Sequence, residues 1–195
     1  MDTLAIKEFI SIYQYAVFCQ VRATFDSLVP NEKDFPEILI KYNRSITNID
    51  EYNSGVFVQL LENSNLVDVV QVLPQFQFIK PLYLDTRFVI FGRDSDTRVD
   101  FGVDLVNRNV IMFDYVEGAY TYIADSENGF LGYLRYYIEY MIIPNEIKNK
   151  YEVSMMFRKK VITAVGGDKY ADYYNYIFTI EGCTTSNTLK FPYKL

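Results

Sequence analysis

Apolar positions return at three- and four-residue steps from the start of the chain. Leu4, Ile6, Phe9, Ile10, Tyr13, Val17 and Val21 make one broad stripe, which predicts a helix over Thr3–Phe25. Asp2 or Thr3 can cap it, and Pro30 ends the segment. Asn31 to Asn43 reads as a shorter helix with Ile38, Leu39 and Tyr42 inward, and a polar connector runs on to Ser54. The run Gly55-Val-Phe-Val-Gln-Leu-Leu61 reads as a strand. Leu66, Val67, Val69, Val70 and Leu73 then suggest a short helix ended by Pro74. Phe76, Phe78 and Ile79 before Lys80-Pro81 predict an edge strand or an extended loop, because proline cannot donate to a ladder.

From Phe88 the period shortens to two. Phe88-Val-Ile-Phe91 is a strand-like run, broken by the turn cluster Gly92-Arg-Asp-Ser-Asp96. From Arg98 to Leu105, Val99, Phe101, Val103 and Leu105 alternate with Asp100, Gly102 and Asp104, as expected when one face is buried and the other wet. Asn107-Arg-Asn109 is a tight polar turn, followed by strands at Val110 to Phe113 and Ala119 to Ile123. The stretch predicts an antiparallel meander with an acidic wet face. Asp125 and Ser126 can cap a helix that reaches Ile143 and is stopped by Pro144. A helical extension follows over Asn145–Val165, a Gly166-Gly167 break, and Asp168–Thr179, with a terminal strand at Thr188 to Tyr193.

The order of these features (apolar strand, Phe91-Gly92, acidic turn, alternating strand with Phe101 and Asp104-Leu105, polar turn, Val110 strand, Ile123-Ala124 leading to Phe130-Leu131) resembles the SMI1/KNR4 (SUKH) superfamily. The resemblance spans about Asn31 to Ile143, and Phe35-Pro36-Glu37 is similar to the start of that family's first helix. It implies an α+β fold, an antiparallel sheet flanked by helices. Within one domain over 1–195, the core would be 31–143, with 1–30 as an N-terminal helix and 144–195 as the extension. It also implies a bacterial immunity protein that neutralises a cognate polymorphic toxin. A regulatory or scaffold adaptor of the same fold is the alternative. The tryptophan that many members carry is missing, since this chain has none.

Composition narrows the chemistry. Half of the 195 residues are hydrophobic, 23% are charged and the net charge is −6, which places the chain among globular proteins that bury a core. That acidity argues against a nucleic-acid partner, because phosphate contacts depend on Lys and Arg. It is compatible with a basic protein partner. There is no histidine, hence no ordinary neutral-pH base and no commonest metal ligand. The two cysteines, Cys19 and Cys183, have no metal or redox spacing. We expect no cofactor, no metal and no enzymatic activity. A carboxylate-based hydrolase would need a close acid pair, and Asp94, Asp96 and Asp100 are more simply read as turn acids.

Neither a membrane span nor a secretory start is legible, so a cytoplasmic location and no membrane partner are expected. Tyrosine is the excess, at 18 residues. The residues expected to meet a partner are therefore Asp94, Asp96, Asp100, Asp104, Asp114 and Glu117, with Tyr133, Tyr137 and Tyr140 on one helical side.

Overall fold

A computed structural model describes residues 3–25, 55–69, 71–73, 76–84, 86–94, 97, 99–175 and 178. Five strands follow one another in sequence and in space: β1 (Gln77–Leu84), β2 (Phe88–Arg93), β3 (Val99–Asp104), β4 (Val110–Asp114) and β5 (Ala119–Ala124). They pair antiparallel in the order β1-β2-β3-β4-β5, the predicted meander with one strand added at its front. β1 is the edge strand and runs through Pro81, with its register shifting between Phe78 and Leu82. An edge can do without the missing amide.

The period of two holds within β3. Phe101 stands opposite Met112 and Val103 opposite Val110, and all four point into the core. On the β2 side Ile90 pairs with Gly102, but Gly92 pairs with Phe101, so one extra residue is inserted in β2. This bulge re-aims the strand end and sets Arg93 opposite Asp100.

The inner face is covered by helices α1 (Thr3–Phe25), α2 (Val56–Glu62), α3 (Glu127–Met141), α5 (Tyr151–Val165) and α6 (Ala171–Asn175). Phenylalanines fill the centre. Phe57 lies flat on Phe91 at 3.9 Å between centroids, and Phe130 meets Phe57, Phe91 and Phe101 at 5.9, 5.7 and 5.9 Å. Phe9 of α1 reaches the cluster through the ring of Phe78 at 5.9 Å. Offset and edge-to-face contacts of this kind add to the burial of apolar area.

The strand expected at Gly55–Leu61 is instead helix α2. Val56, Phe57, Val58, Leu60 and Leu61 are all buried, so the run is apolar on every side and carries no period to separate helix from strand. What fixes the helix lies outside the run: the buried carboxylate of Glu127 accepts the Phe57 amide at 3.0 Å, satisfying a donor that a first helical turn leaves free. The short helix expected over 66–73 is a single 3-10 turn, Leu66–Asp68. The predicted α1 stripe holds for Ile6, Phe9, Tyr13 and Val17, while Leu4 is exposed. The helix expected at Asn31–Asn43 and the strand at Thr188–Tyr193 lie outside the described residues.

Ser126 caps α3 as expected, its Oγ accepting the Gly129 amide at 3.1 Å. Beyond Pro144 the predicted single helix is interrupted at Asn149 and Lys150, giving α4 (Asn145–Lys148) and α5. Gly166 ends α5 in the left-handed region, φ 114°, and a Cβ there would lie 2.2 Å from Oδ2 of Asp125. The extension is welded to the sheet. Val161, Val165 and Tyr174 belong to the same core, and the Tyr174 hydroxyl donates to the Ile123 carbonyl at 2.8 Å. Among the described residues no helix is long and apolar enough to cross a membrane.

Candidate protein-binding face

The alternation that sends Phe101 and Val103 inward sends Asp100, Gly102 and Asp104 to the opposite side of the sheet. By register they share that outer face with Leu82, Phe88, Ile90 and Arg93 on one side, and with Ile111, Phe113, Tyr120 and Tyr122 on the other. Phe88, Ile90, Ile111, Phe113 and Tyr120 take no part in the core that the helices share. Ile90 and Ile111 are nevertheless fully buried. Gly102 makes this floor possible, because a Cβ there would sit 2.8 Å from Cδ1 of Ile90 and 2.9 Å from the Val89 carbonyl. Phe88 and Tyr120 lean toward each other across the floor to 5.3 Å, Tyr122 meets Tyr120 at 5.6 Å, and Phe113 meets Tyr115 at 4.8 Å. The outer face is a small second core.

Two ion pairs flank it. At one end Arg87 Nη2 donates to Asp104 Oδ2 at 2.9 Å, and its Nε reaches the same oxygen at 3.3 Å. The Tyr122 hydroxyl donates to that oxygen at 2.8 Å, and the Val106 amide fills Oδ1 at 3.0 Å. Asn107 Nδ2 in turn donates to the Tyr122 hydroxyl at 3.1 Å. At the other end Arg93 binds Asp100 with both prongs, Nε to Oδ1 at 2.7 Å and Nη2 to Oδ2 at 3.1 Å, and the Tyr115 hydroxyl adds 2.8 Å to Oδ2. Bidentate arginine–carboxylate pairs are among the stronger polar contacts.

Burial alone would push the Asp104 carboxyl up, but hydrogen bonds from Arg87, Tyr122 and the Val106 amide outweigh it and hold the group below the usual carboxylate range. Asp104 has no exposed surface, yet its cover is one side chain thick, because Arg87 above it is 44% exposed. It is a sealed surface pair rather than a deep one. The hydroxyls of Tyr115 and Tyr122 are raised, first by burial and then by the carboxylates they donate to.

The wet acidic face expected from alternation is therefore corrected at its centre. Asp100 and Asp104 lie on the predicted face but are buried and paired. Asp94 sits in the β2–β3 turn and accepts the Thr97 amide at 3.1 Å, while Asp96 falls outside the described residues. Asp114 closes the β4–β5 turn, accepting the Val116 amide at 2.7 Å and the Glu117 amide at 3.3 Å, and Glu117 is exposed. Tyr133 is corrected from anchor to core. It is buried against Phe130 and Tyr174 at 5.2 and 4.8 Å, with Tyr137 stacked on it. Tyr137 and Tyr140 are half-buried against Phe178 at 6.3 and 5.3 Å.

Arg87, Arg93, Tyr115, Tyr120 and Tyr122 were not among the residues expected to matter. Their signal is in the sequence: Arg93 mirrors Asp100 about the turn that joins β2 to β3, Arg87 lies one residue before the partner of Asp104, and Tyr120 and Tyr122 keep the outward phase. A third pair joins Arg108, at φ 64° in the β3–β4 turn, to Glu127 at 3.1 Å. Burial raises the Glu127 carboxyl, against the opposing pull of the α2 amides and Arg108.

Among the described residues no group of three metal-ligating side chains is assembled. The two central aspartates are each committed to an arginine and a tyrosine rather than to one another. Comparison with protein-family models, with curated proteins and with solved structures gives no match.

Proposed function

We propose that the chain is a non-enzymatic protein-binding module of the SMI1/KNR4 type, and that it neutralises a cognate toxin by covering part of its surface. One observation carries the reading: a meander with helices on its inner face leaves Phe88, Phe113 and Tyr120, together with Arg87 and Arg93, on an outer face outside the core that the described helices share, with Tyr122 bridging to that core. Tyrosine and arginine are the residue types that dominate binding energy at protein interfaces. The ion pairs and ring contacts hold these side chains in place before any partner arrives, which lowers the entropic cost of association. Asp114 and Glu117 stand at the rim, in the β4–β5 turn, where charge tunes association rate more than affinity.

The test is to purify the chain with the protein encoded beside its gene. The reading expects a one-to-one complex by calorimetry and loss of that protein's toxicity. Absence of both would remove the immunity reading.

A further inference from the structure

Asp100 and Asp104 are 1% and 0% exposed, while the arginines that seal them, Arg93 and Arg87, are 52% and 44% exposed. At the centre of the face a visiting surface therefore meets guanidinium groups in place of these two carboxylates, while Asp114 and Glu117 stand at the rim. Arg87 uses Nε and Nη2 on Asp104, Tyr120 and Tyr122, and Arg93 uses Nε and Nη2 on Asp100. The Tyr115 and Tyr122 hydroxyls spend their hydrogens on the same carboxylates. Guanidinium carries five donor hydrogens and no acceptor. Among the described residues the Nη1 group of each arginine has no hydrogen-bond partner.

We propose that this face receives a carboxylate-bearing segment of a partner protein, with acidic side chains set among apolar or aromatic ones. This rests on the protein-binding reading above and reverses the charge expected of the partner. Three features favour it. Guanidinium–carboxylate bonds are charge-assisted, and the fork matches a carboxylate's geometry. The Arg87 fork is held in place, its carbon 4.8 Å from the Phe88 ring centre and 5.5 Å from that of Tyr120. Apolar surface is exposed on the same face, Leu82 at 48% and, at the Arg93 end, Tyr115 at 46%. The net charge of −6 repels an acidic partner at long range, so added salt should weaken binding less than it would weaken that of a steered basic partner.

Nuclear magnetic resonance of the full chain tests the idea through the Nε–Hε signals of Arg87 and Arg93. The probes are two capped hexapeptides, one alternating Glu and Tyr, the other Gln and Tyr. The Glu peptide should move both signals saturably and bind at least about tenfold more tightly than the Gln peptide. The double variant Arg87→Lys, Arg93→Lys keeps a cation over each carboxylate but removes the unpartnered Nη1 group. It should bind the Glu peptide about tenfold more weakly. Should that variant not fold, the comparison of the two peptides on the native chain still decides.

Equal response to both peptides, or shifts confined to other residues, overturns the proposal. So do arginine signals that move with protein concentration alone, which would seat a second copy on the face. Signals deaf to both peptides, as when another segment of this chain covers the face, also overturn it. If the Glu peptide binds as expected but the neighbour-encoded protein does not, the carboxylate site stands and the immunity reading falls. If that protein binds and leaves both signals unmoved, the immunity reading stands and this inference falls.

Discussion

On the inner side of β3, Phe101 is buried against Phe76 and Phe130, at 5.1 and 5.9 Å between rings. One residue earlier, on the outer side, Asp100 is equally inaccessible, but its cover is Arg93 and the Tyr115 hydroxyl. The inner face is closed by elements brought from elsewhere in the chain. Among the described residues the outer face is closed by long side chains of the sheet and its turns, folded over small and charged ones. Burial of the first kind is apolar and stabilises the fold. Burial of the second kind neutralises charge, holds arginine and tyrosine in fixed positions and leaves them at the surface, as recognition requires.

The largest effect expected from breaking this contrast is on the inner face. Phe101→Ala should cost about 3–5 kcal/mol in denaturant melts. A loss below about 1 kcal/mol would mean that Phe101 is not the core residue described. Asp104→Lys should come next. It sets a cation against Arg87 and strips the Tyr122 hydroxyl and the Val106 amide of their acceptor. About 2–3 kcal/mol is expected, below the cost of breaking a deep pair because Arg87 is partly in water. A wet Asp104 would give a change within about 0.5 kcal/mol. Reversing Asp100 and Asp104 together should therefore destabilise the fold before it reports on binding.

Gly102→Ala should cost roughly 1–2 kcal/mol, since the added methyl meets the Val89 carbonyl as well as the movable end of Ile90. If Gly102→Ala is neutral in the same melts, the floor of the outer face is looser than described.

Opposite pH dependences should separate the two environments. The Asp104 carboxyl is held down in the fold, so its stabilising contribution is present above the unfolded value near 3.9 and is lost as pH falls through the folded one. The Glu127 carboxyl is raised, so its contribution is present below the unfolded value and is lost as pH rises through the folded one. The cost of Asp104→Asn should accordingly shrink on acidification, and the cost of Glu127→Gln should shrink as pH rises. Melts of both variants across acid to neutral pH check the signs, and parallel slopes would refute the contrast.

Much of the fold was legible because its signals were local. The Thr3–Phe25 stripe, the Ser126 cap and the alternation in β3 each follow from period or from a single hydrogen bond to backbone. The α2 segment is not legible in the sequence because its apolar run has no period, and the group that caps it, Glu127, lies 70 residues away. The outer face was read correctly in phase and wrongly in exposure. Alternation says which way Asp100 and Asp104 point, but not what else points there. That depended on the bulge in β2, which sets Arg93 opposite Asp100, and on tyrosines two strands away. Pairing register, not composition, decided whether these acids met water.

The most direct test is the titration of the Asp104 side-chain carboxyl carbon by nuclear magnetic resonance in the free chain. If Arg87, Tyr122 and the Val106 amide seal it as described, the group should titrate clearly below the ordinary aspartate value of about 3.9, and Arg87→Ala should move it upward. An Asp104 that titrates at or above the ordinary value, and does so with or without Arg87, would mean that the carboxylate faces water and that the outer surface is acidic after all.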